Sequence, residues 1–223
     1  MSLIQSSLLS VLFNQSYQLA INLLHMSTFN VSLVGVGGQG ILLTANLLGR
    51  VAALAGLDVK KSEIHGMAQR GGSVASSVRF GEKVHSPIIP AGESDLLVAF
   101  DRLEALRCAT QLKVGGKVLV NDVYLTPVTV SSGQQPEVSD LAGALSKALP
   151  KAIYVDAAGI AKEVGNDRTA NMVLAGALSA LTPFPEDLWH KAMAETFTGP
   201  KAKLLEMNEK AFSKGRAAAL SCC

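Results

Sequence analysis

The stretch Val31-Ser32-Leu33-Val34-Gly35-Val36-Gly37-Gly38-Gln39-Gly40 decides how the rest of the chain is read. β-prone residues run into a cluster of glycines, and an apolar segment without charge begins at Ile41 and continues to Gly49. The order is strand, tight loop, helix. Gly35, Gly37 and Gly40 keep the spacing G-x-G-x-x-G, with Gly38 as an extra member. Such a loop needs glycine where the turn takes positive φ, where no Cβ can block a ligand, and where helix and strand pack closely. The unpaired N–H groups that open the following helix point above the loop, and the helix dipole favours an anion there. Two readings follow. Gly35, Gly37, Gly38, Gln39 and Gly40 cradle a phosphate-bearing ligand, or they form a packing turn that binds nothing.

A dinucleotide site would add an acidic residue at the end of the second strand, about 20 residues further on. Glu63 is near that place but follows Lys60, Lys61 and Ser62, which suit phosphate or solvent equally.

Outward from the loop, Ile41 to Ala55 reads as a buried helix closed by Gly56 at C′. Asp58 to Ser62 reads as a short strand, followed by a loop Glu63-Ile-His-Gly-Met-Ala-Gln-Arg-Gly-Gly72. Ser73 to Phe80 alternates with period two and is a strand. Leu96 to Phe100, Lys117 to Val120 and Ala152 to Val155 are buried strands, and Thr126 to Val130 is a short edge strand limited by Pro127. Helices are expected from Asp101 to Leu112 with a D-x-x-E cap, and over Val138 to Leu149, Ala157 to Val164, Thr169 to Leu181, Pro185 to Glu195 and Pro200 to about Leu220. Strands alternating with helices predict an α/β fold. It is a doubly wound, mostly parallel Rossmann-like sheet with a helical C-terminal part.

With 223 residues, one large domain is expected, spanning 26–223. Residues 1–25 carry no charge and read as a helical or disordered extension, which a natural domain start at Met26 would leave out. Leu8 to Phe13 resembles a signal-peptide core, but it lacks a basic flank and is broken by Asn14, Gln15, Ser16 and Gln18. Apolar residues make up 48% and charged ones 17%, which excludes global disorder and fits a subunit with a large interface. A net charge of +2 without a basic run gives no case for nucleic acid. Cys108, Cys222 and Cys223 form no C-x-x-C pair, so neither a zinc nor an iron–sulfur site is expected, and a reducing cytoplasm fits. Cys108 reads as a small buried apolar residue.

Asp101, Asp122 and Asp156 each end a predicted strand, at the rim where ligands bind in this architecture. Helix capping is favoured over metal binding or base chemistry for all three. His65 lies in the glycine-rich loop beside Arg70, Gly71 and Gly72, where a guanidinium and glycine amides can converge on a phosphate or carboxylate. For Arg70 the bland alternative is a pair with a rim aspartate. His25, His85 and His190 show no partner in the sequence. The chain carries no nucleophile elbow, P-loop or H-E-x-x-H.

Gly35-Val-Gly-Gly-Gln-Gly40, Ser62-Glu-Ile-His-Gly-Met-Ala-Gln-Arg-Gly-Gly72 and Ser73-Val-Ala-Ser-Ser-Val-Arg79 together resemble the small subunit of 2-oxoacid:ferredoxin oxidoreductases, in particular the indolepyruvate branch. The resemblance runs from Met26 to the C-terminus. It implies oxidative decarboxylation of an arylpyruvate to an acyl-CoA, with two electrons passed to ferredoxin. Thiamine diphosphate and the iron–sulfur clusters would then sit on a large partner subunit, with CoA as co-substrate and no cofactor held by this chain alone. A G-D-G diphosphate-binding motif is indeed lacking. A hetero-oligomer is expected, with a homodimer as the state of the isolated chain, and no membrane or nucleic-acid partner. In this picture the glycine loop, with Gly71 and Gly72, forms one wall of a shared cleft. Arg70 binds an anionic group of substrate or CoA, and His65 hydrogen-bonds near the reacting centre. The alternatives are a stand-alone NAD(P)- or flavin-binding dehydrogenase and a non-catalytic scaffold subunit.

Overall fold

The computed structural model describes residues 27–65 and 71–222, so the expectations for residues 1–25, for Arg70 and for Cys223 lie outside it. Six strands are present among these residues: β1 (Phe29–Val36), β2 (Asp58–His65), β3 (Ser73–Gly81), β4 (Ser94–Ala99), β5 (Leu112–Asn121) and β6 (Ile153–Val155). They form one sheet in the order β2-β3-β1-β4-β5-β6. The pairings of β1 with β4, β4 with β5 and β5 with β6 are parallel. β3 runs antiparallel to both of its neighbours. The α/β expectation holds, with this hairpin as the exception to parallel order. Only residues 66–72 join β2 to β3, and a parallel crossover needs a dozen or more.

Several expected boundaries move. β2 continues to His65, so Glu63, Ile64 and His65 are strand rather than loop. Thr126 to Val130 is not a strand: Pro127 instead precedes a one-turn helix, α3 (Val128–Ser131), whose turn closes by Ser131 N–H donating to the Pro127 carbonyl at 2.9 Å. α2 (Arg102–Arg107) is shorter than expected and ends in a 3-10 turn over Ala109–Gln111, after which β5 begins at Leu112. The C-terminal segment opens with a 3-10 turn, Gly199–Leu204, before α8 (Leu205–Leu220).

Strand alternation sends Val31, Leu33, Val74, Val78, Phe80, Leu96 and Val98 to one face of the sheet. That face is covered by α1 (Ile41–Leu54), α5 (Ala157–Val164), α6 (Ala170–Ser179), α7 (Glu186–Thr196) and α8. Val34, Leu97, Ala99, Val118 and Val120 face the other way, under α2 and α4 (Leu141–Ala148). Each fully buried aliphatic side chain contributes about 1.5–3 kcal/mol, which makes the first face the main source of stability. α6 is its centre, with every residue from Met172 to Ser179 buried. α6 and α8 approach so closely that a Cβ on Gly176 would lie 1.9 Å from the Phe212 carbonyl oxygen. α1 stops as its sequence dictates: Gly56 has φ 82°, its N–H donates to the Ala53 carbonyl at 3.0 Å, and the Leu57 N–H donates to Ala52 at 3.1 Å.

Because α1 follows β1 on one face and α2 follows β4 on the other, the order reverses between these adjacent strands. Ligands of doubly wound sheets bind at the carboxyl ends beside such a reversal.

Candidate functional site: a glycine-walled cavity at the sheet rim

The glycine loop leaves β1 at Val36 and reaches the first turn of α1 at Ile41. Gly38 (φ 104°) and Gly40 (φ 85°) hold the left-handed conformation that this reversal needs. Gly40 also lies against α6, where a Cβ would come 2.6 Å from Asn171 Nδ2. Gln39 takes a role invisible in the spacing. Its Oε1 accepts the Val36 N–H at 2.7 Å, while its Nε2 donates to the Phe100 carbonyl at 2.8 Å. The side chain thus spans the ends of β1 and β4 and fills the crevice at the reversal.

Gly71 and Gly72, which end the second motif, meet this loop through the backbone. Gly37 N–H donates to the Gly72 carbonyl at 2.8 Å, and Gly71 N–H donates to the Gly37 carbonyl at 3.3 Å. These bonds extend the β1–β3 ladder one step beyond Val36 opposite Ser73. His65 is brought in by β2, where it stands opposite Val74, and Val74 in turn stands opposite Gly35. Gly37, Gly38, Gly40, Ile41, Leu42, His65 and Val74 line a cavity of about 450 Å³. Of the sequence-predicted residues, Gly37, Gly38, Gly40 and His65 line this cavity, Gly35, Gln39, Gly71 and Gly72 are not among its lining residues, and Arg70 lies outside the described residues. Ile41, Leu42 and Val74 were not foreseen as lining. Leu42 is an apolar residue that stays 38% exposed in the first turn of α1, which only the structure reveals.

The walls are aliphatic side chains and backbone. Thr44 N–H is the first amide of α1 to bond within the helix, to the Gly40 carbonyl at 3.2 Å, so the amides before it have no partner in the helix itself. Such a surface suits an apolar body carrying an anionic group at one end.

The rim aspartates are committed elsewhere. Asp101 is fully buried and accepts the N–H groups of Leu103 and Leu125, each at 2.7 Å, and of Glu104 at 3.2 Å. Burial pushes its carboxyl above the usual carboxylate range, against the pull of those three donors. Asp156 caps α5 through the Gly159 N–H at 2.8 Å. Asp122, expected as a cap, instead accepts from Arg102 Nε at 2.7 Å. His190, which showed no sequence partner, stands 3.6 Å from Glu186 and 3.5 Å from Glu209.

Glu63 does not complete a dinucleotide site. β3 intervenes between β2 and the glycine-bearing β1, and Glu63 is paired with Lys61 at 2.5 Å. Cys108 is half-buried, with its thiol pushed up to about 11 chiefly by burial. Among the described residues no group of three or more His, Cys, Asp or Glu could hold a metal ion. Nor is any helix among them long and apolar enough to cross a membrane.

The sequence family described as pyruvate ferredoxin/flavodoxin oxidoreductase matches residues 30–218. The chain is 41% identical over 198 residues to indolepyruvate oxidoreductase subunit IorB of Pyrococcus horikoshii, covering 87% of this chain and 97% of that protein. It is 39% identical over 196 residues to the subunit of the same name from Archaeoglobus fulgidus, covering 86% and 96%. The fold is similar to the crystal structure of the keto/oxoacid ferredoxin oxidoreductase γ subunit from Geobacter sulfurreducens, with a TM-score of 0.66, 24% identity and coverage of 88% of this chain and 99% of that one. A match over nearly the whole described chain, together with the paired glycine motifs that meet in one cavity, shows that this protein belongs to the pyruvate ferredoxin/flavodoxin oxidoreductase family.

Proposed function

We propose that this chain is the small subunit of an indolepyruvate-type 2-oxoacid:ferredoxin oxidoreductase, inactive without a large partner subunit. The reaction converts an arylpyruvate and CoA to an acyl-CoA and carbon dioxide, and two electrons leave to ferredoxin. The near-full-length identity to IorB subunits supports the substrate class. The geometry that carries this chain's part is the pairing of Gly37 with Gly72, which brings His65 and the glycine loop to one cavity.

Thiamine diphosphate, held by the partner, supplies the carbanion chemistry, and the partner's iron–sulfur clusters carry the electrons. The residues of this chain position the substrates. Ile41, Leu42 and Val74 pack against an apolar body, and the first-turn amides of α1 and Arg70 attract an anionic group of substrate or CoA. His65 hydrogen-bonds near the reacting centre and excludes water from that side of the cleft. Asp101, Asp122 and Asp156 serve the fold. A reducing cytoplasm suits such a complex.

The test is 2-oxoacid-dependent reduction of a viologen dye with CoA and thiamine diphosphate. It is run on this chain alone, the large subunit alone and the mixture. Activity confined to the mixture, highest with indolepyruvate or phenylpyruvate, is the expected result. Full activity from the large subunit alone, or a preference for pyruvate, overturns the reading. A scaffold role is favoured by one observation, the use of both polar ends of Gln39 inside the loop. Arg70→Ala separates the two, because a scaffold keeps full turnover in the assembled complex without that guanidinium.

A further inference from the structure

Glu104 is a buried carboxylate that the site does not use directly, with a residue exposure of 2%. It sits in the first turn of α2, whose start is fixed by Asp101. One carboxylate oxygen accepts from Arg107 Nη1 at 2.7 Å, and the other accepts the Ser73 hydroxyl at 2.5 Å. Ser73 opens β3 and directly follows Gly71 and Gly72, the residues whose backbone pairs with Gly37. The next residue, Val74, belongs to the cavity wall on the opposite face of the sheet. A tether on Ser73 from the α2 side therefore sets the height of Gly72 and Val74 in the wall without entering the cavity.

Stability alone does not call for a carboxylate here, because a buried charge carries a desolvation cost that a neutral, well-packed residue avoids. What the charge adds is a short, directional bond to a hydroxyl. We propose that Glu104 is a positioning residue: through Ser73 it fixes the pairing of Gly72 with Gly37, and with it the wall formed by Gly37, Val74 and His65. The inference rests on the reading that this cavity takes part of the 2-oxoacid or CoA.

The test uses the reconstituted complex with the large subunit and compares Ser73→Ala, Ser73→Thr, Glu104→Gln and Leu42→Trp. Leu42 lines the cavity and is partly exposed, so tryptophan fills the space without repacking the core. Ser73→Ala is expected to raise KM for the 2-oxoacid or for CoA by about tenfold, the loss corresponding to one charge-assisted bond, with kcat per assembled complex within about twofold of wild type. Ser73→Thr, which retains the hydroxyl, restores KM to within about threefold, and Glu104→Gln, which keeps an acceptor without the charge, raises KM less than Ser73→Ala does. A merely structural role would instead lower the fraction of assembled complex and leave KM unchanged. If Leu42→Trp raises KM while Ser73→Ala does not, the positioning role is wrong and the site reading stands. If neither moves either KM, the cavity is not a substrate site and both fall.

Discussion

Gln39 occupies the space that a side chain on Gly35 would take: a Cβ at residue 35 would lie 2.6 Å from Gln39 Oε1 and 2.7 Å from Phe100 Cβ. The first glycine of the motif thus makes room for the protein's own amide at the reversal between β1 and β4. Gly35→Ala is expected to destabilise by about 1–3 kcal/mol through overpacking. Gln39→Ala, which strips the Val36 N–H and Phe100 carbonyl of their partner, costs a similar amount, about 1–3 kcal/mol. Because the two residues share the space, the double variant loses less than the sum by at least about 0.5 kcal/mol. Urea unfolding of the four proteins measures this.

The buried Asp101 gives a pH dependence of defined sign. Its folded pKa is raised, mainly by burial, so the folded state holds the proton more tightly than the unfolded one. The associated stability is fully present below the ordinary carboxylate range and is lost as pH rises through the raised folded value. Asp101→Asn removes this ionisation and loses the acceptor for the Leu125 N–H. The variant is therefore less stable than wild type at acid pH, and the gap narrows as pH rises from about 4 toward neutrality. Denaturation midpoints of both proteins across that range provide the check. A gap that widens with pH would show that the carboxylate is instead stabilised on folding.

Thiol chemistry distinguishes two cysteines. With its pKa pushed up to about 11, Cys108 is almost entirely protonated at neutral pH, whereas Cys222 is exposed. Iodoacetamide at pH 8 should label the peptide containing Cys222 and leave Cys108 unmodified until the protein is unfolded. Mass mapping of the alkylated peptides reads the outcome directly.

Gly176 and Gly215 form a reciprocal contact between α6 and α8. A Cβ on Gly215 would lie 1.9 Å from the Val173 carbonyl oxygen, matching the clash at Gly176 with Phe212. Both obstacles are backbone, which side-chain rotation cannot relieve. Alanine at either position is expected to cost about 3 kcal/mol or slightly more, the upper end for overpacking, seen as a lower Tm. Gly49, where the nearest atom is a Val59 methyl at 3.7 Å, serves as the control, and alanine there should be neutral or stabilising.

The central strands, the cap at Asp101, the helix from Ala157 to Val164 and the stop at Gly56 were legible because each is written in neighbouring residues. The antiparallel course of β3 was legible in principle, since the seven residues between His65 and Ser73 are too few for a crossover. The site was half legible. Glycine spacing located the loop, and the second motif located its neighbour. What the spacing could not reveal was which polar groups were already engaged. Gln39 is bound to Phe100 across 61 positions and Ser73 to Glu104 across 31, pairings without periodicity that exist only once the sheet has formed. Thr126 to Val130 misled because β-branched residues that suit a strand here follow Pro127, with its extended ψ of 148°, into a single helical turn.

The β2–β3 hairpin has both of its inner ends at the rim, with His65 opposite Val74 and the ladder continuing back to Asp58 opposite Gly81. The chain leaves the ladder at His65 and rejoins it at Ser73, two points whose separation is set by the pairing of β2 with β3. A change of residue between these two points therefore leaves the register of β2, β3 and β1 to be set by the ladder alone.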